Sequence, residues 1–266
     1  MCPPDHYGIE YEINPWMKRT LASVRDVAWH QWRTLRETLQ GLGATIEEMQ
    51  PQPGLPDLVF TANAGLMFRE RFFSSRFMHE VRAKESPYFD AWFEEHGFQV
   101  VHLPESMYHE GAGDALFCGQ ALFAGYRTRS DVHAHQWVAM ETGVRVLPLE
   151  LVNPRFYHLD TCFCPLSPTE AIYFPDAFDT YGRRVLEAHV ETLIPVEEAE
   201  AFRFGCNAVV VGRAVVHNSQ CPRLAEKLSQ RGYRSIEVEL DEFLKAGGSS
   251  KCLTLRIDGE EAASWE

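Results

Sequence analysis

A helix that stops and runs into a short apolar strand recurs along this chain about every 45 residues, a period that marks a repeated supersecondary unit. Helices are expected over residues 24–40, 87–96, 131–142, 177–189 and 222–231. In the first, Val24, Val27, Ala28, Trp32, Leu35 and Leu39 fall near one face, and Gly41-Leu42-Gly43 ends the pattern. Gly97, Gly143 and Gly232 close three of the others. Strands follow at 44–46, 98–101, 144–147, 190–194 and 235–238. Each of the first four units then leads into an expected hairpin: 58–61 with 66–68, 115–117 with 121–124, 161–164 with 171–174, and 208–211 with 214–216. The fifth has only residues 252–257, and residues 8–11 at the amino terminus are expected to supply its missing strand. Units of this kind bury their apolar sheets against neighbours. The pattern predicts an α/β fold, a closed pseudo-symmetric propeller of five modules around a central channel, with residues 1–266 forming a single domain. An open sheet explains the helix–strand alternation but not the recurring hairpins. Residues 51–56 read as a Pro-rich loop and residues 259–266 as a polar tail.

Composition narrows the function. The 25 Lys and Arg against 38 Asp and Glu give a net charge of −13, which repels a phosphate backbone and argues against nucleic acid as a partner. The same charge can draw a cationic substrate toward a cleft. No apolar run reaches the roughly 18–20 residues of a membrane span, and no segment resembles a signal peptide. The seven cysteines are odd in number and lack disulfide-framework spacing, so a reducing cytoplasm is the expected location.

Several polar residues sit where hairpins begin, and such loops from different modules can converge on the channel mouth. Cys252 follows Gly247-Gly248-Ser249-Ser250, a turn whose backbone can approach a ligand closely. His158 and Asp160 precede one hairpin, and Glu110 and Asp114 flank Gly111-Ala112-Gly113 before another. A thiolate needs a proton-transfer partner, and a guanidinium needs carboxylates beside it. Singly, each has a plainer reading: a core cysteine, a structural histidine, a cap or turn carboxylate. Asp114 is expected to order its turn rather than to react. Asn63, in Thr61-Ala62-Asn63-Ala64-Gly65, and Asn14, in Ile13-Asn14-Pro15-Trp16, are either turn residues or ligand contacts. Arg76 and Arg129 can bind a substrate carboxylate or sit solvated at the surface.

Metal and nucleotide chemistry find little support. Cys162-Phe163-Cys164 lies near His158, but no second Cys/His pair follows at structural-zinc spacing, and alternation along a strand explains the pair equally well. No Walker A sequence or Gly-x-Gly-x-x-Gly occurs after a strand. Neither a metal nor an organic cofactor is expected.

The segments Pro56-Asp57-Leu58-Val59-Phe60-Thr61-Ala62-Asn63, Glu110-Gly111-Ala112-Gly113-Asp114 and His158-Leu159-Asp160-Thr161, with the late Cys252, resemble the guanidino-group-modifying superfamily over nearly the whole chain. That superfamily includes arginine deiminases, dimethylarginine dimethylaminohydrolases and amidinotransferases. The resemblance implies the five-module propeller and covalent catalysis without a cofactor, with Cys252 as nucleophile, His158 as acid and base, and Glu110 as a catalytic carboxylate. It places Asp160 on the guanidinium and Arg76 or Arg129 at the amino-acid end. Asn63 departs from the Asp usual in deiminases and dimethylaminohydrolases. With Met1-Cys2-Pro3-Pro4-Asp5-His6-Tyr7 and the Asn14 segment, it resembles the arginine dihydrolase branch, in which both asparagines are substrate-site residues. The implied reaction is arginine to ornithine, two ammonia and carbon dioxide. The alternatives are a citrulline-forming deiminase or dimethylaminohydrolase, an amidinotransferase, and a non-catalytic binder of guanidino ligands. A homodimer is implied by resemblance alone.

Overall fold

The computed structural model describes residues 1–258; the expected polar tail at 259–266 lies outside them. Four three-stranded sheets follow one another along the chain. The first contains β1 (Gly65–Phe68), β2 (Arg71–Ser74) and β3 (Gln99–His102); the second, β4 (Ala115–Cys118), β5 (Ala121–Tyr126) and β6 (Arg145–Glu150). The third contains β7 (Phe163–Pro165), β8 (Glu170–Tyr173) and β9 (Thr192–Pro195); the fourth, β10 (Val209–Val211), β11 (Ala214–Asn218) and β12 (Arg234–Val238). Each begins with an antiparallel hairpin, and its third strand returns parallel to the second. The helices Ser86–Glu95, Val132–Thr142, Thr180–His189 and Pro222–Gln230 make those parallel returns, as a crossover requires. Helix and strand thus join the hairpin that precedes them in sequence.

The expected closed propeller of five modules is not what forms. Among the described residues there are four sheets, each open, and residues 8–11, 44–46 and 252–257 carry no strand. Backbone donors in two of these segments are already used locally. Leu253 N–H bonds to Ser249 O at 3.2 Å and Thr254 N–H to Lys251 O at 3.0 Å, while Ala44 N–H caps the first helix at Leu39 O (3.1 Å). The expected strand at 58–61 is also displaced. Pro56–Val59 and Thr61–Ala64 are short 3-10 turns, started by Pro56 at a first-turn position, and the hairpin pairs β1 with β2.

The first helix, Arg25–Gly41, buries Trp32, Leu35 and Leu39 with Val216, Val238, Phe243 and Leu253. Fully burying a side chain of this size contributes about 1.5–3 kcal/mol. This packing brings the start of the chain against the last sheet and the Cys252 segment. No described helix is long and apolar enough to cross a membrane.

Candidate active site

The turns entering the sheets hold the reactive groups. Asn63 lies in Thr61–Ala64 before β1, Glu110 caps Gly111–Gly113 before β4, His158 caps Leu159–Thr161 before β7, and Asp160 lies inside that last turn. The Gly111–Gly113 turn touches both of the others. Glycine permits the approach. A Cβ on Gly113 would sit 2.2 Å from Asn63 Nδ2, and one on Gly111, at φ +59°, 2.5 Å from Gly65 O.

Glu110 is the hub of the first cluster and is fully buried. Its Oε2 lies 2.7 Å from His158 Nε2 and accepts from Arg129 Nη1 at 3.0 Å, while Oε1 accepts from Met78 N–H at 3.3 Å. Asp114 supports it from behind. Its Oδ2 accepts from Ser130 Oγ (2.6 Å), its Oδ1 accepts from Leu159 N–H (3.1 Å), and Ser130 Oγ in turn accepts from Glu110 N–H (3.0 Å). Arg129, expected at the amino-acid end of a ligand, instead pairs with Glu110. Its Nη2 donates to Ile13 O at 2.9 Å, and its guanidinium lies 4.9 Å from the Tyr157 ring centroid.

The second cluster surrounds the thiol. Cys252 Sγ lies 3.5 Å from Asp160 Oδ2 and 3.1 Å from Asn207 Nδ2. Asn207 was not singled out from sequence, although it occupies the lead-in to β10 as Asn63 does for β1, and the repeat itself is the signal that finds it. Asn63 ties Arg82 to the first cluster: its Oδ1 accepts from Arg82 Nη1 at 2.8 Å and its Nδ2 donates to Glu110 O at 3.4 Å. Arg82, also missed, forks onto Glu85 at 2.9 and 2.7 Å beside buried Asp57. Asn14 orders its own turn by accepting from Trp16 N–H (2.9 Å) and donates to Ala246 O (3.0 Å).

Asn14, Asn63, Arg82, Arg129, Tyr157 and Cys252 line one void of about 10 Å³. Arg76 does not line it; its backbone bridges to His109 instead. A larger cavity of about 590 Å³ lies elsewhere, against Leu116, Phe163, Val209 and Thr254, and none of the expected reactive groups lines it. Of the expected groups, Cys252, Asn14, Asn63 and Arg129 line the smaller void, whereas His158, Glu110 and Asp160 do not. Cys162 and Cys164 Sγ face the carbonyls of Leu159 and Ala208 at 3.4 and 3.5 Å. Among the described residues, no three His, Cys, Asp or Glu side chains are grouped to hold a metal ion.

Burial sets the resting protonation. It pushes the Cys252 thiol well above its ordinary range and Asp160 adds to this, against hydrogen bonds from Ser249 and Asn207. Burial also lowers the His158 pKa to about 4, against the pull of Glu110. For Glu110 burial pushes upward, but Arg129, His158 and Arg82 outweigh it and hold the carboxyl well below the usual range. Near neutral pH the site therefore holds a neutral thiol, a neutral imidazole and an ionised Glu110. That combination can supply a nucleophile, a proton acceptor and a fixed negative charge.

A buried thiol, imidazole and carboxylates on repeated α/β modules are the equipment of the guanidino-group-modifying superfamily. Residues 9–258 match the family described as N,N dimethylarginine dimethylhydrolase, eukaryotic, and the chain belongs to that family. It is 48% identical over 262 residues to the bifunctional arginine dihydrolase/ornithine cyclodeaminase ArgZ of Synechocystis sp., covering 97% of this chain and 37% of that protein. The chain thus spans little more than a third of that relative's length. It is 40% identical over 257 residues to N(G),N(G)-dimethylarginine dimethylaminohydrolase of Mycobacterium tuberculosis, covering 97% and 84% of the two chains. The crystal structure of an asparagine-to-serine variant of the ArgZ N-terminal domain, covalently bonded to a reaction intermediate, superimposes with a TM-score of 0.93. The two are 48% identical, with 97% and 96% of the chains covered.

Proposed function

We propose that this chain is a cytoplasmic arginine dihydrolase acting as a single catalytic domain, converting arginine and two waters to ornithine, two ammonia and carbon dioxide. The observation that carries the reading is the buried pairing of Cys252 with Asp160 and of His158 with Glu110, with an asparagine, Asn63, bonded to Glu110 O and lining the same void as Cys252, where an aspartate would favour a cation alone. The similarity to ArgZ supports the substrate and product. The seven free thiols support a reducing compartment.

The void leaves room for about one water, so substrate entry displaces side chains. The Glu110–Arg129 pair is the natural point of exchange. The arriving guanidinium takes Glu110 and Asp160, and the released Arg129 turns to the substrate carboxylate. Cationic substrate beside Cys252 favours thiolate, and the thiol proton passes to neutral His158. The thiolate attacks the guanidinium carbon, and His158 returns the proton to the departing ammonia, leaving an amidino-thioether. His158 then takes a proton from water, hydroxide attacks the same carbon, and thiolate leaves citrulline. A second attack on the neutral ureido carbon and a second water release ornithine, ammonia and carbon dioxide.

Cys252→Ser tests the assignment: the variant should bind arginine, measured by calorimetry, with turnover at background. Full turnover by this variant would remove Cys252 from the mechanism. Dimethylarginine hydrolysis is the alternative activity, favoured by the Mycobacterium relative, and release of dimethylamine separates it.

A further inference from the structure

Beyond the groups just assigned, one fully buried side chain touches the reacting sulfur. We infer that Asn207 is a catalytic residue whose side-chain amide donates a hydrogen bond to Cys252 Sγ and stabilises the thiolate. This rests on Cys252 being the nucleophile.

The geometry fixes the amide from both ends. Asn207 Oδ1 accepts from Cys252 N–H at 3.2 Å, and Nδ2 donates to Asp160 O at 3.0 Å while lying 3.1 Å from the sulfur. Its two amide hydrogens therefore have two acceptors, the Asp160 carbonyl and Sγ. A flipped amide would set Oδ1 against both acceptors and Nδ2 against the Cys252 N–H, so only one orientation is satisfied. The side chain is 0% exposed, and water does not compete for these contacts.

The other groups facing the sulfur explain why such a donor is needed. Asp160 Oδ2, at 3.5 Å, opposes ionisation of the thiol, and burial opposes it too. Asp57, Arg82, Arg129 and Tyr157 line the same void. Both arginines are committed, Arg129 to Glu110 and Arg82 to Glu85, so neither is bonded to the sulfur in the resting site. Asn207 supplies the side-chain N–H already aimed at it. Because the same side chain holds the Cys252 backbone and the Asp160 carbonyl, it also sets the nucleophile beside the carboxylate that binds the substrate.

The test reads the thiol itself. Iodoacetamide labelling of Cys252 is followed across pH by mass spectrometry of its peptide, so the other six cysteines do not interfere. A hydrogen bond to a charged group shifts such an equilibrium by about one to two pH units. Asn207→Leu, which keeps the volume, and Asn207→Ala should raise the labelling midpoint by that amount. Below the midpoint, labelling should slow about 10- to 100-fold, with the alkaline plateau nearly unchanged. A folded variant with an altered plateau and an unmoved midpoint would show that Asn207 only packs the site, overturning the inference. A second measurement does not depend on how the variants fold. In the unaltered 15N-labelled protein, the Asn207 side-chain NH2 signals should shift with the same midpoint as Cys252 labelling, and signals that stay fixed through that midpoint would also overturn it. Arginine turnover by Cys252→Ser tests the nucleophile separately, so failure of one assignment is not mistaken for failure of the other.

Discussion

If the proposed two-step hydrolysis holds, replacing Asn63 by aspartate should make it stop at citrulline. Asn63 is 3% exposed, and its Oδ1 already accepts from Arg82 Nη1 at 2.8 Å, so a carboxylate there would be held ionised by an existing cation. The lost contact, Nδ2 to Glu110 O at 3.4 Å, is long and contributes little. At an effective dielectric of about 20, a unit charge about 5 Å from the guanidinium carbon is worth ~3 kcal/mol. The cationic substrate of the first step gains that interaction; the neutral ureido group of the second does not. A difference of ~3 kcal/mol is a factor of about 100, so the ornithine-to-citrulline ratio should fall roughly 100-fold while arginine consumption persists. Isotope-labelled arginine, quenched at short times and resolved by chromatography, gives both products in one experiment. An unchanged ratio, with only the melting temperature altered, would refute the charge argument.

Three further perturbations probe the site and its supports. Arg82→Ala removes the fork from buried Glu85 and the nearest cation from Asp57; breaking such a pair should cost about 3–5 kcal/mol, read as a lower urea midpoint, and an unmoved midpoint would contradict the pairing. Gly113→Ala places a Cβ 2.2 Å from Asn63 Nδ2 and 3.4 Å from His158 Cγ; a displacement of about 1 Å at these groups should lower kcat about 100-fold, and normal kcat would show that the turn yields without consequence. His135 is buried, which lowers its pKa to about 4 against its bond to Gly125 O. The unfolded chain therefore binds this proton first as pH falls from about 6.5 to about 4, so stability drops with acidification across that window. His135→Gln should reduce the slope of unfolding free energy there by about 1.4 kcal/mol per pH unit, and an unaltered slope would mean that His135 is charged in the folded protein.

The repeat was legible because helix periodicity and strand runs are local properties. The helices and all three strands of the second and fourth sheets lie close to where the sequence places them. Closure was not legible. Whether residues 8–11 and 252–257 pair depends on where their backbone donors go, and Leu253 and Thr254 N–H are turned back into the loop that carries Cys252. The Pro56 region misled in a similar way: an apolar run, Leu58-Val59-Phe60, satisfies itself in 3-10 turns, and the hairpin begins only at Gly65. For the site, motifs identified the groups placed at module lead-ins, whereas partners brought from afar were not readable. Arg82 rather than Arg76 reaches the void because Glu85 and Asp57 anchor its guanidinium there. Asn207 was not singled out from sequence, because only the fold sets it 3.1 Å from the thiol.

The most direct measurement is the product stoichiometry of the purified protein with labelled arginine, with dimethylarginine run in parallel. Ornithine accompanied by about two ammonia per arginine is the expected result for the two-attack mechanism proposed above. Citrulline as the end product with one ammonia, or dimethylamine from the parallel reaction with arginine untouched, would contradict it.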